Sequence, residues 1–151
     1  MNLILPLLPP SHILLDVEVS SKKRLFEYIA ALFETSIALP HATIFDSLLA
    51  REKLGSTALG HGIAIPHGRI KGLKQASGAL LRLRTPVEFD APDNAPVTIL
   101  FTLLVPVQAN DLHLQILGEL AQMFSDKHLR EALMTAPDAA SVHALIAAWS
   151  A

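Results

Sequence analysis

The chain predicts an α/β sandwich of three layers, and three observations carry that reading. Segments with the 3.6-residue apolar period of half-buried helices lie before, between and after short apolar runs of strand length. One such run, residues 97–105, is apolar almost throughout, as suits a central strand covered on both faces. Hydrophobic residues make up 51% of the 151, and the mean hydropathy is +0.41, enough for a generous core and incompatible with disorder. With a length near that of one ordinary domain, no internal repeat and no low-complexity linker, a single domain over residues 1–151 is expected.

The elements follow in order. Residues 1–15 carry no Asp, Glu, Lys or Arg, but they lack a basic leader and are broken by Pro6, Pro9 and Pro10. They read as neither an export signal nor a membrane span. Ser20 or Ser21 is placed to cap a helix over residues 22–34, where Leu25, Ile29, Leu32 and Phe33 follow the i, i+4, i+7, i+8 spacing of a buried face. A second helix is expected over residues 43–54, with Ile44, Phe45, Leu48 and Leu49 as its stripe and Gly55 to end it. Residues 55–62 read as a glycine-rich turn and residues 63–65 as a short strand, which Pro66 stops. Strands are expected over 78–84, over 87–89 as a short piece, and over 97–105. Asn110 is placed to cap a helix whose His113, Ile116, Leu117, Leu120 and Phe124 share one face. Two shorter helices, over 127–134 and 139–149, close the chain, and Val142, Leu145, Ile146 and Trp149 form the last stripe.

Composition excludes several functions. The absence of cysteine rules out disulfide scaffolds, thiol catalysis and thiolate metal sites, and fits a reducing cytoplasm. The longest apolar run is well short of the roughly 20 residues a spanning helix needs, so a soluble protein is expected. A net charge of −2 and a pI near 6.4 leave no global basic footprint for nucleic acid. The charge is nevertheless uneven. Between Glu52 and Glu88 there is no acid, while Lys53, Arg69, Lys71, Lys74, Arg82 and Arg84 all fall there. Two readings stand: a local anion site, or bases on separate solvated faces.

The same segment holds the motif. Residues 55–62 begin like a nucleotide P-loop, but His61 and Gly62 replace its Lys and Ser/Thr. Gly60-His61-Gly62 opens like a dinucleotide fingerprint, but Ile65 occupies the third glycine position. Pro66-His67-Gly68 offers different chemistry. The histidine emerges from a short strand on a constrained turn, where Pro66 fixes its own φ and Gly68 is expected to keep space open beside the imidazole. No nearby carboxylate is expected to drive His67 towards imidazolium. A neutral imidazole is a nucleophile at pH 7, and arginine or lysine beside it would stabilise an incoming phosphoryl group. Phosphohistidine is labile, so such a residue would pass the group onward reversibly. If Asn110 caps its helix, His113 lies in the first turn, where free N–H groups and the helix dipole favour phosphate. The alternative is a core histidine on the buried stripe with Ile116 and Leu120. His12, His41, His128 and His143 are assigned surface or cap roles.

The run from Arg51-Glu52-Lys53 through Gly60-His61-Gly62-Ile63-Ala64-Ile65-Pro66-His67-Gly68-Arg69 resembles the active-site signature of phosphotransferase-system (PTS) IIA components of the fructose/mannitol type. Phe101-Thr102-Leu103-Leu104-Val105-Pro106 and His113-Leu114-Gln115-Ile116-Leu117 are similar to that family's central strand and following helix. Ser21-Lys22-Lys23-Arg24 resembles the start of the first helix in its nitrogen-regulatory branch, IIA-Ntr. The resemblance spans about residues 20–146. It implies an α/β sandwich around a mixed, mainly five-stranded sheet. It also implies that His67 accepts phosphate from a phosphorylated HPr-like carrier, that His113 is a second histidine beside it, and that Arg51 lines the site. Ser56 and Thr57 are candidate hydroxyl donors in the turn. One departure is His61, where many relatives carry asparagine.

The function expected from the resemblance is a cytoplasmic phosphohistidine carrier and regulator. It would act on partners such as a sensor kinase or a potassium transporter according to its phosphorylation state, with no cofactor, metal, nucleic acid or membrane insertion. The alternative is a sugar-uptake IIA subunit that passes phosphate to a IIB component. A metal-dependent hydrolase built on the seven histidines lacks H-E-x-x-H and any histidine pair spaced beside an acid. A binding module whose histidine never carries phosphate is the remaining class.

Overall fold

The computed structural model describes residues 2–108 and 111–150. Two 3₁₀ turns, Leu5–Leu7 and Pro10–His12, precede β1 (Ile13–Val17), α1 (Lys22–Ile37) and α2 (His41–Lys53). Next come four strands, β2 (Ala58–Gly60), β3 (Ile63–Ala64), β4 (His67–Ile70) and β5 (Ser77–Val87). The chain then forms β6 (Val97–Pro106), α3 (Asp111–Phe124), α4 (Lys127–Thr135) and α5 (Ala139–Ala148).

The strands make one mixed sheet in the order β1-β5-β6-β3-β2, with β4 also paired to β6. β1 runs parallel to β5, β5 antiparallel to β6, and β3 and β4 both parallel to β6. β3 and β4 therefore share one flank of β6, Ile63 opposite Ile99 and His67 opposite Leu103. Pro66 interrupts that line without ending it, because its carbonyl accepts the Leu103 N–H at 2.9 Å. The expected stop is thus a two-residue joint, Ile65-Pro66, and the six strands occupy five positions across the sheet.

Side chains alternate across the strands, and each face meets its own layer. Leu81, Leu83, Leu100 and Leu104 pack with Leu25, Phe26, Ile29 and Phe33 of α1 and Ile44 and Leu48 of α2. Leu80, Ile99, Phe101, Leu103 and Val105 pack with Ile116, Leu120 and Phe124 of α3 and with Val142 and Ile146 of α5. The Ser21 hydroxyl caps α1 by accepting the Arg24 N–H at 3.2 Å. The cap expected at Asn110 lies outside the described residues. No helix among the described residues is long and apolar enough to cross a membrane.

Several local expectations change. β1, β2 and β4 are strands that the apolar pattern does not mark, and β4 begins at His67, where a constrained turn is expected. Residues 87–89 form no separate strand: β5 continues to Val87 through a register shift, and Phe89, beyond its end, is fully buried. His12 is no surface group. It is buried, with Nδ1 at 2.8 Å from the Gly78 carbonyl and its ring edge-on to Phe33.

Candidate functional site

Among the described residues β4 pairs with β6 alone, and helices of both layers approach it. A cleft of about 380 Å³ opens there, lined by Ser47 and Arg51 of α2, His67, Gly68 and Arg69 of β4, and His113 of α3. The alternation of β4 assigns its residues. Gly68 faces α2, where a Cβ would overlap the Ser47 hydroxyl and come within 3.3 Å of the Ser47 Cβ. His67 faces α3, its ring 5.5 Å from that of His113 at an interplanar angle of 70°. Gly68 therefore admits α2 to the strand; clearing space beside the imidazole is not its main effect.

The Nδ1 of His67 lies 2.8 Å from the Ile65 carbonyl oxygen. A carbonyl can only accept, so Nδ1 carries the proton and the neutral ring keeps its lone pair on Nε2. Burial pushes the His67 pKa below the ordinary imidazole value. The bond to Ile65 opposes this, the Arg51 charge adds to it, and the Glu52 charge opposes it again. A carboxylate is thus within electrostatic reach, contrary to expectation, but burial outweighs it. His113 is 8% exposed, and neither ring nitrogen has a hydrogen-bond partner among the described residues. Burial first, then the charges of His67 and Arg69, lower its pKa as well. The cleft thus presents one nucleophilic nitrogen, a second neutral imidazole with unspent hydrogen-bonding capacity, and two guanidinium groups. Arg51 is braced by the Gly55 carbonyl at 2.9 Å and Arg69 by the Val107 carbonyl at 3.0 Å.

Residues 6–149 match the family model described as phosphoenolpyruvate-dependent sugar phosphotransferase system, EIIA 2. The chain belongs to the EIIA 2 family. It is 45% identical over 141 residues to the nitrogen regulatory protein of Pseudomonas aeruginosa, covering 93% of this chain and 92% of that one. It is 40% identical over 131 residues to the nitrogen regulatory protein of Escherichia coli K12, covering 86% and 80%. The crystal structure of the nitrogen regulatory protein IIA-Ntr from Neisseria meningitidis superimposes with a TM-score of 0.92 at 56% identity, covering 96% and 99%. The mannitol IIA of Escherichia coli, 20% identical, shares the fold with a TM-score of 0.76, covering 91% and 97%.

In this EIIA 2 chain the sequence-predicted residues separate. His67, His113 and Arg51 come together in the cleft. Ser56 and Thr57 do not line it. The Ser56 hydroxyl donates to the Phe89 carbonyl, and the Thr57 hydroxyl, buried, donates to Glu52 Oε1 at 2.6 Å. Of the six bases between Glu52 and Glu88, only Arg69 lines the cleft. Arg82 donates to the Leu133 and Ala136 carbonyls at the end of α4, both at 2.8 Å, and Arg84 pairs with Asp16 at 2.9 Å. The separate-face reading holds for those two. His61 is no third imidazole of the site. It occupies the turn between β2 and β3 at φ 56°, between Gly60 and Gly62, with its N–H donated to Asp93 at 2.8 Å. Asparagine tolerates that left-handed conformation well, which accounts for its expected place there. Arg69 was missed as a site residue; its signal is the period of two from His67 along a strand.

Proposed function

We propose that this EIIA 2 protein is a phosphohistidine carrier and regulator of the nitrogen-regulatory branch, with His67 as the acceptor. The observation that carries the reading is the Nδ1–H of His67 held on the Ile65 carbonyl, which leaves Nε2 as the nucleophile in a cleft bearing Arg51, Arg69 and His113. The donor is a phosphorylated HPr-like carrier. The Nε2 lone pair attacks phosphorus while the donor's N–P bond breaks, its electron pair returning to the donor imidazole. The proton on Nδ1 stays where it is, and the Ile65 carbonyl stabilises the positive charge that the phosphorylated ring acquires. The two arginines balance charge on the phosphoryl oxygens, and His113 donates a hydrogen bond to them. The regulatory role, in place of sugar uptake, is supported by similarity over most of the chain to proteins named nitrogen regulatory protein. Sensor kinases and potassium transporters, bound differently in the two phosphorylation states, are the partners that family resemblance suggests.

Incubation with a phosphorylated HPr-like carrier tests this. Wild-type protein takes one acid-labile, base-stable phosphoryl group, and folded His67→Ala takes none. Stoichiometric labelling of His67→Ala, or label that resists acid, overturns the assignment.

A further inference from the structure

Glu52 does not line the cleft, yet both its carboxylate and its main-chain carbonyl lead there. It lies in the last turn of α2, and its side chain is only 5% exposed. The carboxylate accepts three bonds: from Lys22 Nζ at 2.9 Å, from the Thr57 N–H at 3.1 Å and from the Thr57 hydroxyl at 2.6 Å. Thr57 is thereby gripped at backbone and side chain together. Its carbonyl accepts the Ile65 N–H at 3.0 Å, and the Ile65 carbonyl accepts the Nδ1–H of His67 at 2.8 Å. A second path leaves the Glu52 main chain. Its carbonyl accepts the Gly55 N–H at 3.2 Å, and the Gly55 carbonyl accepts the Arg51 guanidinium at 2.9 Å.

We propose that Glu52 is a positioning residue for phosphoryl transfer, acting through Thr57 and Ile65 on the His67 ring. The inference rests on the phosphohistidine reading of His67. Its physical content is that a nucleophile is only as well placed as the peptide that orients it. The Ile65 carbonyl fixes both the tautomer and the rotation of the imidazole. Ile65 is followed by Pro66, which has no N–H to brace the joint. Its orientation is therefore set through its own N–H, on the carbonyl of Thr57. Lys22 completes the clamp from α1: besides its ion pair with Glu52, it lies 4.7 Å from the centre of the Phe89 ring. A buried carboxylate without this partner would be costly, so the ion pair makes the clamp possible.

The test uses Glu52→Gln, Thr57→Val and Thr57→Ser in the full chain. Imidazole ¹⁵N spectra of the unphosphorylated protein report the His67 tautomer, and labelling from a phosphorylated HPr-like carrier reports transfer. Folded Thr57→Val and Glu52→Gln are expected to lose the single Nδ1–H tautomer and to be labelled about 10–100-fold more slowly, the scale of a misplaced reacting group. Thr57→Ser, which keeps the hydroxyl, restores both readouts. Thr57→Val retains the Lys22 ion pair, so it decides the matter if Glu52→Gln does not fold. Lowered thermal stability with an unchanged tautomer and an unchanged rate would reduce Glu52 to a structural residue and overturn the proposal. If wild-type protein takes no label at all, the phosphohistidine reading fails, and the ¹⁵N spectra alone still accept or reject the positioning role.

Discussion

Replacing Gly68 by alanine probes how tightly α2 is seated against the strand that carries His67. The added Cβ would overlap the Ser47 hydroxyl, and it would lie 3.3 Å from the Ser47 Cβ and 3.4 Å from the Ser47 carbonyl carbon. The hydroxyl can rotate away only by surrendering its 3.0 Å bond to the Arg69 carbonyl, worth about 0.5–1.5 kcal/mol. The contact with Ser47 Cβ cannot rotate away; it is relieved only if α2 shifts outward. An overpacked core site typically costs about 1–3 kcal/mol, and that range is expected for Gly68→Ala. For a chain of this size it corresponds to a fall of about 2–4 °C in Tm per kcal/mol. Gly68 has no left-handed φ to preserve, so the penalty is purely steric. The background then decides the sign. With Ser47→Ala the cost shrinks by the hydroxyl's share. With Ser47→Gly the clash with the side chain is gone, and Gly68→Ala becomes neutral or slightly stabilising through the reduced entropy of the unfolded chain. Urea denaturation of the single and double variants, at constant m, measures the coupling. An equal cost of Gly68→Ala in the wild-type, Ser47→Ala and Ser47→Gly backgrounds would refute the reasoning.

Three further outcomes are expected. Burial holds the His67 and His113 pKa values below 6.5 in the folded chain, so the unfolded chain binds more protons just below that pH, and stability falls as pH drops through 6.5 towards the folded values. Thermal melts between pH 7.5 and 5.5 check this: His113→Gln should flatten the acid side, and an unchanged slope would remove His113 from the account. His61→Asn relieves a non-glycine residue at φ 56° and should raise unfolding free energy by about 0.5–1 kcal/mol in urea, with labelling of His67 unaltered. Arg82→Met removes a charged donor from two carbonyls at the end of α4 and should cost about 1.5–3 kcal/mol of stability while leaving the labelling rate unchanged; a slowed rate would restore Arg82 to the anion site.

The helices could be read from the chain because each carries its own apolar period, as Leu25, Ile29 and Phe33 do in α1. Most of the short strands carry no such mark. The two-residue β3 falls within the strand expected over 63–65, but β2 has three residues, and β4 is His67-Gly68-Arg69-Ile70 with a single large apolar side chain. They are strands because β6 lies beside β3 and β4, and β3 beside β2; partner and register are non-local. The same limit separates the site residues. His67 is singled out by a contiguous motif and His113 and Arg51 by the resemblance, and the fold brings the three into one cleft. Ser56 does not line the cleft, and its hydroxyl is taken by the Phe89 carbonyl, 33 residues away. The charge-rich segment misled for a related reason: Arg82 and Arg84 are near His67 along the chain, but β5 carries them to α4 and to β1. Nothing in the sequence marks Glu52; its burial against Lys22 and Thr57 is visible only in the fold.

The position of β4 joins these observations to function. A histidine on β5 or β6 would be covered by helices on both faces and flanked by strands on both sides, unreachable by another protein. A histidine on a solvated loop would be reachable, but it would titrate near its ordinary value and keep its tautomer unfixed. A reversible carrier needs both properties, a desolvated neutral ring and an open approach. The flank of a three-layer sandwich supplies them together: the ring is packed against α3, the tautomer is set by the Ile65 carbonyl, and among the described residues no second strand pairs with β4. Pro66 makes the placement possible. With Ile65 it breaks the line between β3 and β4 for two residues, where the Ile65 carbonyl holds His67 while the Pro66 carbonyl keeps the register with Leu103. A proline that the sequence marks as the end of a strand is, in the fold, the joint that turns a sheet edge into a nucleophile's mount.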